Sequence, residues 1–290
     1  MMLLVCLAVL AQSPRLISTA ELGALLAQRD SNVSVIDVRD DFTRYLESHI
    51  PRAVYLHAEE LRAAERGVPN KLLGLVSYTA LFSRLGLGPD RPVVIYSAGE
   101  TRDIDATYLA WILEGLGQPS VYVLDGGFGK WSLENRTVTR RYPVIEPTVF
   151  TPAAFTPDRA TLDDVKASLT ARDVVIVDAR NPDQYAGHAG AQLRRGHIPG
   201  AVSHFWQGDL AKMDFATVWK SRDDLRASYA GQGITPDKTV IAYCNGGLES
   251  SHVYFALHDL LRYPRVRVYD GSFTEWSERV ELPVKTGDEP

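Results

Sequence analysis

Cys244 has the strongest claim to chemistry in this chain. It stands in Tyr243-Cys244-Asn245-Gly246-Gly247-Leu248-Glu249-Ser250, where a β-branched run ends and a helical pattern begins. A glycine-rich turn at such a junction lets successive backbone N–H groups curl into an anion-binding nest. The helix start behind it adds partial positive charge. Both effects favour thiolate over thiol, so the expected role is that of a nucleophile. Glu249 opposes this, because its charge near the sulfur would repel an anion unless it turns to solvent.

The elements that must position Cys244 occur twice. Residues 33–54 (VSVIDVRDDF… HIPRAV) match residues 174–202 (VVIVDARNPD… HIPGAV), the second copy carrying seven extra residues before His-Ile-Pro. PVVIYSAG at 92–99 matches TVIAYCNG at 239–246, and VYVLDGGFGKW at 121–131 matches VRVYDGSFTEW at 266–276. Four matches in the same order make two similar domains in tandem. Each copy alternates short β-branched runs, as buried parallel strands do, with helical patterns. Ile104, Tyr108, Trp111 and Ile112 in one copy, and Val253, Leu257, Leu260 and Leu261 in the other, predict a helix with one apolar stripe. The fold class expected is α/β, a mostly parallel sheet with helices on both faces. The expected domains are residues 16–139 and 158–290. They are joined by a linker over 140–157, rich in Pro and Thr and without helical period.

Features shared by both copies are expected to serve the fold, and features of one copy to serve function. The pairs Asp37/Arg39 and Asp178/Arg180 read as braces at strand ends. His49 and His197 read as turn residues, and Asp-Gly before the Trp as a turn that uses glycine's positive φ. The main difference is Cys244, whose counterpart is Ser97. In open parallel sheets ligands bind beyond the carboxyl ends of strands, where Cys244 stands.

Taken together, DVR and DAR at strand ends, RGHIPGAV at 195–202, the Tyr243-Cys244 loop, and LDGGFGKW and YDGSFTEW resemble the rhodanese family of sulfurtransferases in its two-domain form. The resemblance runs from Leu16 to Thr286. It implies two rhodanese-like domains with five-stranded sheets, an inactive N-terminal copy and a catalytic C-terminal one. It implies that Cys244 takes a sulfur from thiosulfate or 3-mercaptopyruvate as a persulfide and passes it to a thiol or cyanide, with no cofactor and no metal. Asn245, Gly246, Gly247, Leu248, Glu249 and Ser250 would cradle the persulfide. The loop departs from thiosulfate members, which carry Arg and Lys where Asn245 and Gly246 stand, and from the Gly-Ser-Gly-Val-Thr of mercaptopyruvate members. Gln184 stands where many members have a substrate-binding Arg. Replacement cations are Arg180, Arg195 and, less favoured, Arg194, the last two lying in a stretch where copy one has Glu47-Ser48. Two rivals stand beside this reading. One is a non-catalytic module that binds a partner or senses sulfide. The other is a cysteine phosphatase, for which the loop lacks the Arg that bidentate phosphoryl binding needs.

Composition narrows the partners. Of 290 residues, 45% are hydrophobic and 23% charged, with net charge −5, and no basic run suggests nucleic acid. Two cysteines, Cys6 and Cys244, exclude a disulfide framework or an iron–sulfur cluster. The seven histidines form no HExxH or HxxxH pair. The apolar stretch MMLLVCLAVLA at 1–11 is too short to span a bilayer. It reads either as a cleaved signal within a leader over 1–15, which would export the protein and remove Cys6, or as a mis-called start or an N-terminal strand, which would leave the protein in the cytoplasm. The expected partners are a small sulfur donor and a thiol acceptor, with no stable membrane insertion.

Overall fold

A computed structural model of the chain describes residues 15–99, 104–155 and 158–290. The apolar leader with Cys6, and Glu100, Thr101 and Arg102, lie outside the described residues.

In the first copy the strands are β1 (Leu16–Ile17), β2 (Ser34–Asp37), β3 (Ala53–Tyr55), β4 (Arg62–Glu65), β5 (Val68–Leu72), β6 (Val93–Tyr96) and β7 (Val121–Leu124). The helices are α1 (Thr19–Ala27), α2 (Phe42–Glu47), α3 (Leu75–Arg84), α4 (Ile104–Gly115) and α5 (Gly127–Leu133). In the second copy the strands are β8 (Arg159–Ala160), β9 (Val174–Asp178), β10 (Val202–Ser203), β11 (Leu210–Met213), β12 (Ala216–Trp219), β13 (Thr239–Tyr243) and β14 (Val266–Tyr269). Its helices are α6 (Leu162–Ser168), α7 (Pro182–Ala186), α8 (Arg222–Gly231), α9 (Leu248–Tyr254) and α10 (Ser272–Glu278). Both copies start their first helix alike. Ser18 and Glu21 form a reciprocal capping box, as do Thr161 and Asp164.

The described residues form two five-stranded sheets, ordered β1-β7-β6-β2-β3 and β8-β14-β13-β9-β10, with every pair parallel. The β-branched runs are the central strands, as expected. From β9 the chain continues outward to β10, and from β13 to β14 on the other side. The switch point where ligands bind therefore lies between the carboxyl ends of β9 and β13, at Asp178 and Tyr243. Apolar side chains fill one core per copy, around Val35, Val94, Tyr96 and Trp131 in the first and Ile176, Ile241, Tyr243 and Trp276 in the second.

The single apolar stripe expected on α4 is too narrow. Asp105, Ala106, Thr107 and Ala110 are buried along with the stripe residues, which is how a helix covered on all sides looks. In the second copy α9 runs into a π-helical stretch, Phe255–Leu260, that carries part of the predicted stripe. Residues 140–155 hold neither helix nor strand. They are tied to α3, with the Phe150 N–H on Ser83 Oγ at 2.9 Å and the Phe150 ring edge-on to Phe82.

By compactness the residues group into two bodies. One comprises the described parts of residues 1–58 and 74–154 together with Lys212–Trp219. The other comprises Glu59–Leu73, Phe155–Ala211 and Lys220–Pro290. The antiparallel β4–β5 hairpin is thus part of the body that holds Cys244.

Candidate active site around Cys244

The motifs shared by the two copies perform the same structural work in each. Arg180 grips Asp178 through Nε and Nη2, donates to the Gly196 carbonyl at 2.7 Å, and lies over the Phe273 ring. Arg39 does the same with Asp37, the Ser48 carbonyl and Phe128. The hydroxyls of Tyr96 and Tyr243 each donate to the aspartate of the neighbouring strand at 2.6 Å. His49 stacks on Tyr45 and His197 on Tyr185, each ring Nδ1 meeting that tyrosine's carbonyl. The indoles of Trp131 and Trp276 each reach back to a carbonyl after their helix. A buried guanidinium engaged through Nε and Nη2 in this way braces a loop, as its counterpart Arg39 does.

Cys244 follows the last residue of β13. Its Sγ accepts the Gly247 N–H at 3.1 Å and faces the Ser250 hydroxyl at 3.5 Å and the Ser272 hydroxyl at 3.9 Å. Gly247, at φ +97°, allows the sharp turn that aims its N–H at the sulfur before α9 begins. Ser272 Oγ also accepts the Cys244 N–H at 3.1 Å and donates to the Tyr269 carbonyl at 2.7 Å. Ser272 sits at φ +53°, and its counterpart Gly127 sits at +51°. A side chain in that region costs roughly 1–2 kcal/mol. The copy with the cysteine carries that strain and gains a hydroxyl beside the sulfur.

Enclosure works against the expected bias toward thiolate. Burial, and then the charge of Glu249, push Cys244 up to about 12. The Ser250 hydroxyl and N–H pull the other way and are outweighed. A nest favours an anion only to the extent that its donors exceed the cost of desolvating it. Glu249 is half-buried and does not turn fully to solvent.

The other expected residues fall as follows. Asn245 accepts from Gln192 Nε2 at 3.0 Å, so the seven-residue insertion steadies the loop. Gly246 is packed under Asn70, and a Cβ there would lie 2.9–3.0 Å from Asn70 atoms. That contact explains glycine where thiosulfate members carry lysine. Leu248 is buried at the start of α9. Arg194 donates to the carbonyls of Ser277, Arg279 and Leu282, clamping the end of α10. Arg195 is exposed, and among the described residues no hydrogen bond joins it to the Cys244 loop.

Sequence reasoning missed Ser272, Gln192 and the hairpin residues Arg62, Asn70 and Lys71. Arg62 donates to the Gly246 carbonyl at 3.3 Å while paired with Glu59. Ser272 was detectable as a serine where the other copy has glycine; the hairpin residues carried no local signal. Also missed was a buried network behind α9. His204 bonds Gln232 and Asp209, and the Tyr229 hydroxyl bonds Asp209 at 2.7 Å. His252 lies beside the same Asp209 at 3.8 Å.

Comparison with known proteins agrees with this geometry. The family described as Rhodanese-like domain matches twice, over residues 18–134 and 161–279. The chain belongs to the rhodanese family. Among rhodanese relatives, the sulfur carrier protein TtuD of Thermus thermophilus is 34% identical, covering 90% of this chain and 93% of its own. The thiosulfate sulfurtransferase of Azotobacter vinelandii is 30% identical over 95% and 98%, and that of Pseudomonas aeruginosa 31% over 83% and 87%. Among solved structures, EanB bound to hercynine superposes with a TM-score of 0.83 at 23% identity, covering 94% of this chain and 70% of EanB. That likeness shows the shared fold. No helix of the described residues is long and apolar enough to cross a membrane.

Proposed function

We propose that this rhodanese transfers sulfane sulfur through a persulfide on Cys244, taken from thiosulfate or 3-mercaptopyruvate and delivered to a thiol or cyanide. The observation that carries this reading is the sulfur's setting. The Gly247 N–H, the Ser250 hydroxyl and the Ser272 hydroxyl converge on Cys244 Sγ, and the first copy has Ser97 at this position. Relatives named thiosulfate sulfurtransferase and sulfur carrier support the reaction class.

A thiol held near 12 is a poor nucleophile, so its proton must leave as attack begins. Glu249, whose charge bears on that thiol, is the group we assign to take it. With thiosulfate, Sγ bonds the outer sulfur, the bond to the sulfonate sulfur breaks, and sulfite departs with the bonding pair. Glu249 holds the proton and the enzyme holds a persulfide anion. An acceptor thiol or cyanide then attacks the outer sulfur, and Cys244 leaves and regains a proton. Arg195, exposed in the stretch specific to this copy, is the cation available to steer an anionic donor.

The test is a donor panel read by intact mass. Cys244 gains one sulfur, about 32 Da, because covalent catalysis passes through an intermediate. Cys244→Ser gains nothing and forms no thiocyanate from thiosulfate and cyanide. A wild-type protein that takes up no sulfur from any donor would leave the non-catalytic binding module as the better reading.

A further inference from the structure

The turn that carries Ser272 is held differently in the two copies. In the first, Asp125 follows β7 and pairs with Lys130 of the next helix at 2.9 Å. Lys130 folds back over Gly126, its side chain filling the space a Cβ would take. In the second copy the same places are held by Asp270, Gly271 and Glu275. The Glu275 side chain folds back over Gly271 in the same way, with its carboxylate in that space. The sign at this position is thus reversed, and two acids would face each other beneath the cysteine loop. Lys71 of β5 lies against both. Its Nζ is 2.9 Å from Asp270 Oδ1 and 3.5 Å from Glu275 Oε2, with all three side chains at 12% exposure or less. Arg159 takes the other Asp270 oxygen at 2.9 Å.

What Lys71 holds leads to the sulfur. Asp270 Oδ1 accepts the Gly271 N–H at 2.9 Å and so shapes the 270–272 turn. That turn keeps Ser272 in its positive-φ conformation, with Oγ on the Cys244 N–H. The same hairpin presses Asn70 onto Gly246 and brings Arg62 to the Gly246 carbonyl. The counterpart of Lys71 on the other hairpin is Trp219, which meets Asp125 through its backbone N–H instead. A cation is present where the helix carries an acid and absent where the helix supplies its own lysine.

We propose that Lys71 is a positioning residue of the Cys244 site, which it holds through Asp270 and the Ser272 turn. An amine contributed by the half of the sequence without the cysteine therefore sets the geometry of the persulfide cradle. The proposal rests on Cys244 being the reacting group, as in the function proposed above.

The experiment compares Lys71→Met, Lys71→Arg and the double variant Lys71→Met/Glu275→Lys, which rebuilds the Asp125–Lys130 arrangement. Turnover with thiosulfate and cyanide, and Cys244 alkylation by iodoacetamide, are measured well below each variant's Tm, where loss of stability alone changes neither. Lys71→Met lowers kcat roughly tenfold with KM within about twofold, the size of effect that misplaced reacting groups produce. It also raises the alkylation rate about fivefold as the enclosed sulfur loosens. The double variant returns both to within about threefold of wild type, and Lys71→Arg keeps most activity, since each restores a cation to Asp270. A folded Lys71→Met protein with wild-type kcat and alkylation overturns the proposal. If Lys71→Met does not fold, the double variant decides: folded and still slow, it overturns the idea equally. Failure of the wild type to turn over any donor would sink the proposed function alone, because alkylation still reads Lys71.

Discussion

Glu249, in the first turn of α9, bears on the Cys244 thiol five residues before it: burial first, and then the Glu249 charge, push that thiol up to about 12. The arrangement makes the site a thiol at rest.

Glu249→Gln separates the two effects of that carboxylate. Without its charge the Cys244 titration moves down and alkylation at pH 8 rises, by about tenfold for each pKa unit. Turnover falls all the same, because the proton acceptor is gone. The loss is smaller with dianionic thiosulfate than with 3-mercaptopyruvate, since a repulsion is removed as well. Slower alkylation in the variant would show that Glu249 does not burden the thiol.

Ser272 is tested by two replacements. Ala and Gly both remove the hydroxyl beside Sγ, and both are expected to lower kcat alike, by about tenfold, somewhat below what one lost oxyanion donor costs. They differ in backbone strain. At φ +53° alanine keeps the penalty and glycine removes it, so Ser272→Gly is the more stable of the pair by about 1 kcal/mol in urea melts. Equal stabilities would mean the turn relaxes without cost.

Arg39 and Arg180 are expected to behave as twins in stability. Replacing either by Met strands a buried aspartate and costs about 3 kcal/mol or more. Measured by denaturant unfolding, the two losses match. If Arg180→Met lost affinity for donor while keeping its stability, the bracing role would be wrong.

The buried histidines give stability a pH dependence of known sign. Burial lowers His252 to about 4 in the folded protein, against about 6.5 for a free imidazole. Below 6.5 the unfolded chain takes up a proton that the folded chain refuses. Stability therefore drops as pH falls from about 6.5 toward 4, by about 3 kcal/mol in all. His204 works oppositely. Its bond to Asp209 raises it against the cost of burial, so its contribution is present below 6.5 and fades as pH rises through the folded value. His252→Asn flattens the acid limb, and an acid slope unchanged by that substitution would remove His252 as its source.

Much of the fold was legible because its signals are short-range. The β-branched runs over 174–178 and 239–243 are strands because such residues suit a fully buried sheet. The Gly-rich turn after Cys244 follows from the φ that Gly247 adopts. Comparing the copies separated DxR, His-Ile-Pro and the tryptophans, which brace both halves, from Cys244, which only one half has. The same comparison could not show that Arg180 is held by Asp178 and the Gly196 carbonyl, because a repeated motif does not reveal what its side chain touches.

By itself the sequence determined two repeated α/β units, their strand order of appearance, and the one cysteine placed at a strand end. Only the tertiary structure decided how that cysteine behaves. Its proton affinity follows from enclosure, since burial and Glu249 together outweigh the N–H donors that the loop pattern announces. Its cradle depends on Lys71 meeting Asp270 across 199 residues. No local pattern encodes such a pair, because it forms only when the β4–β5 hairpin packs onto the turn before α10.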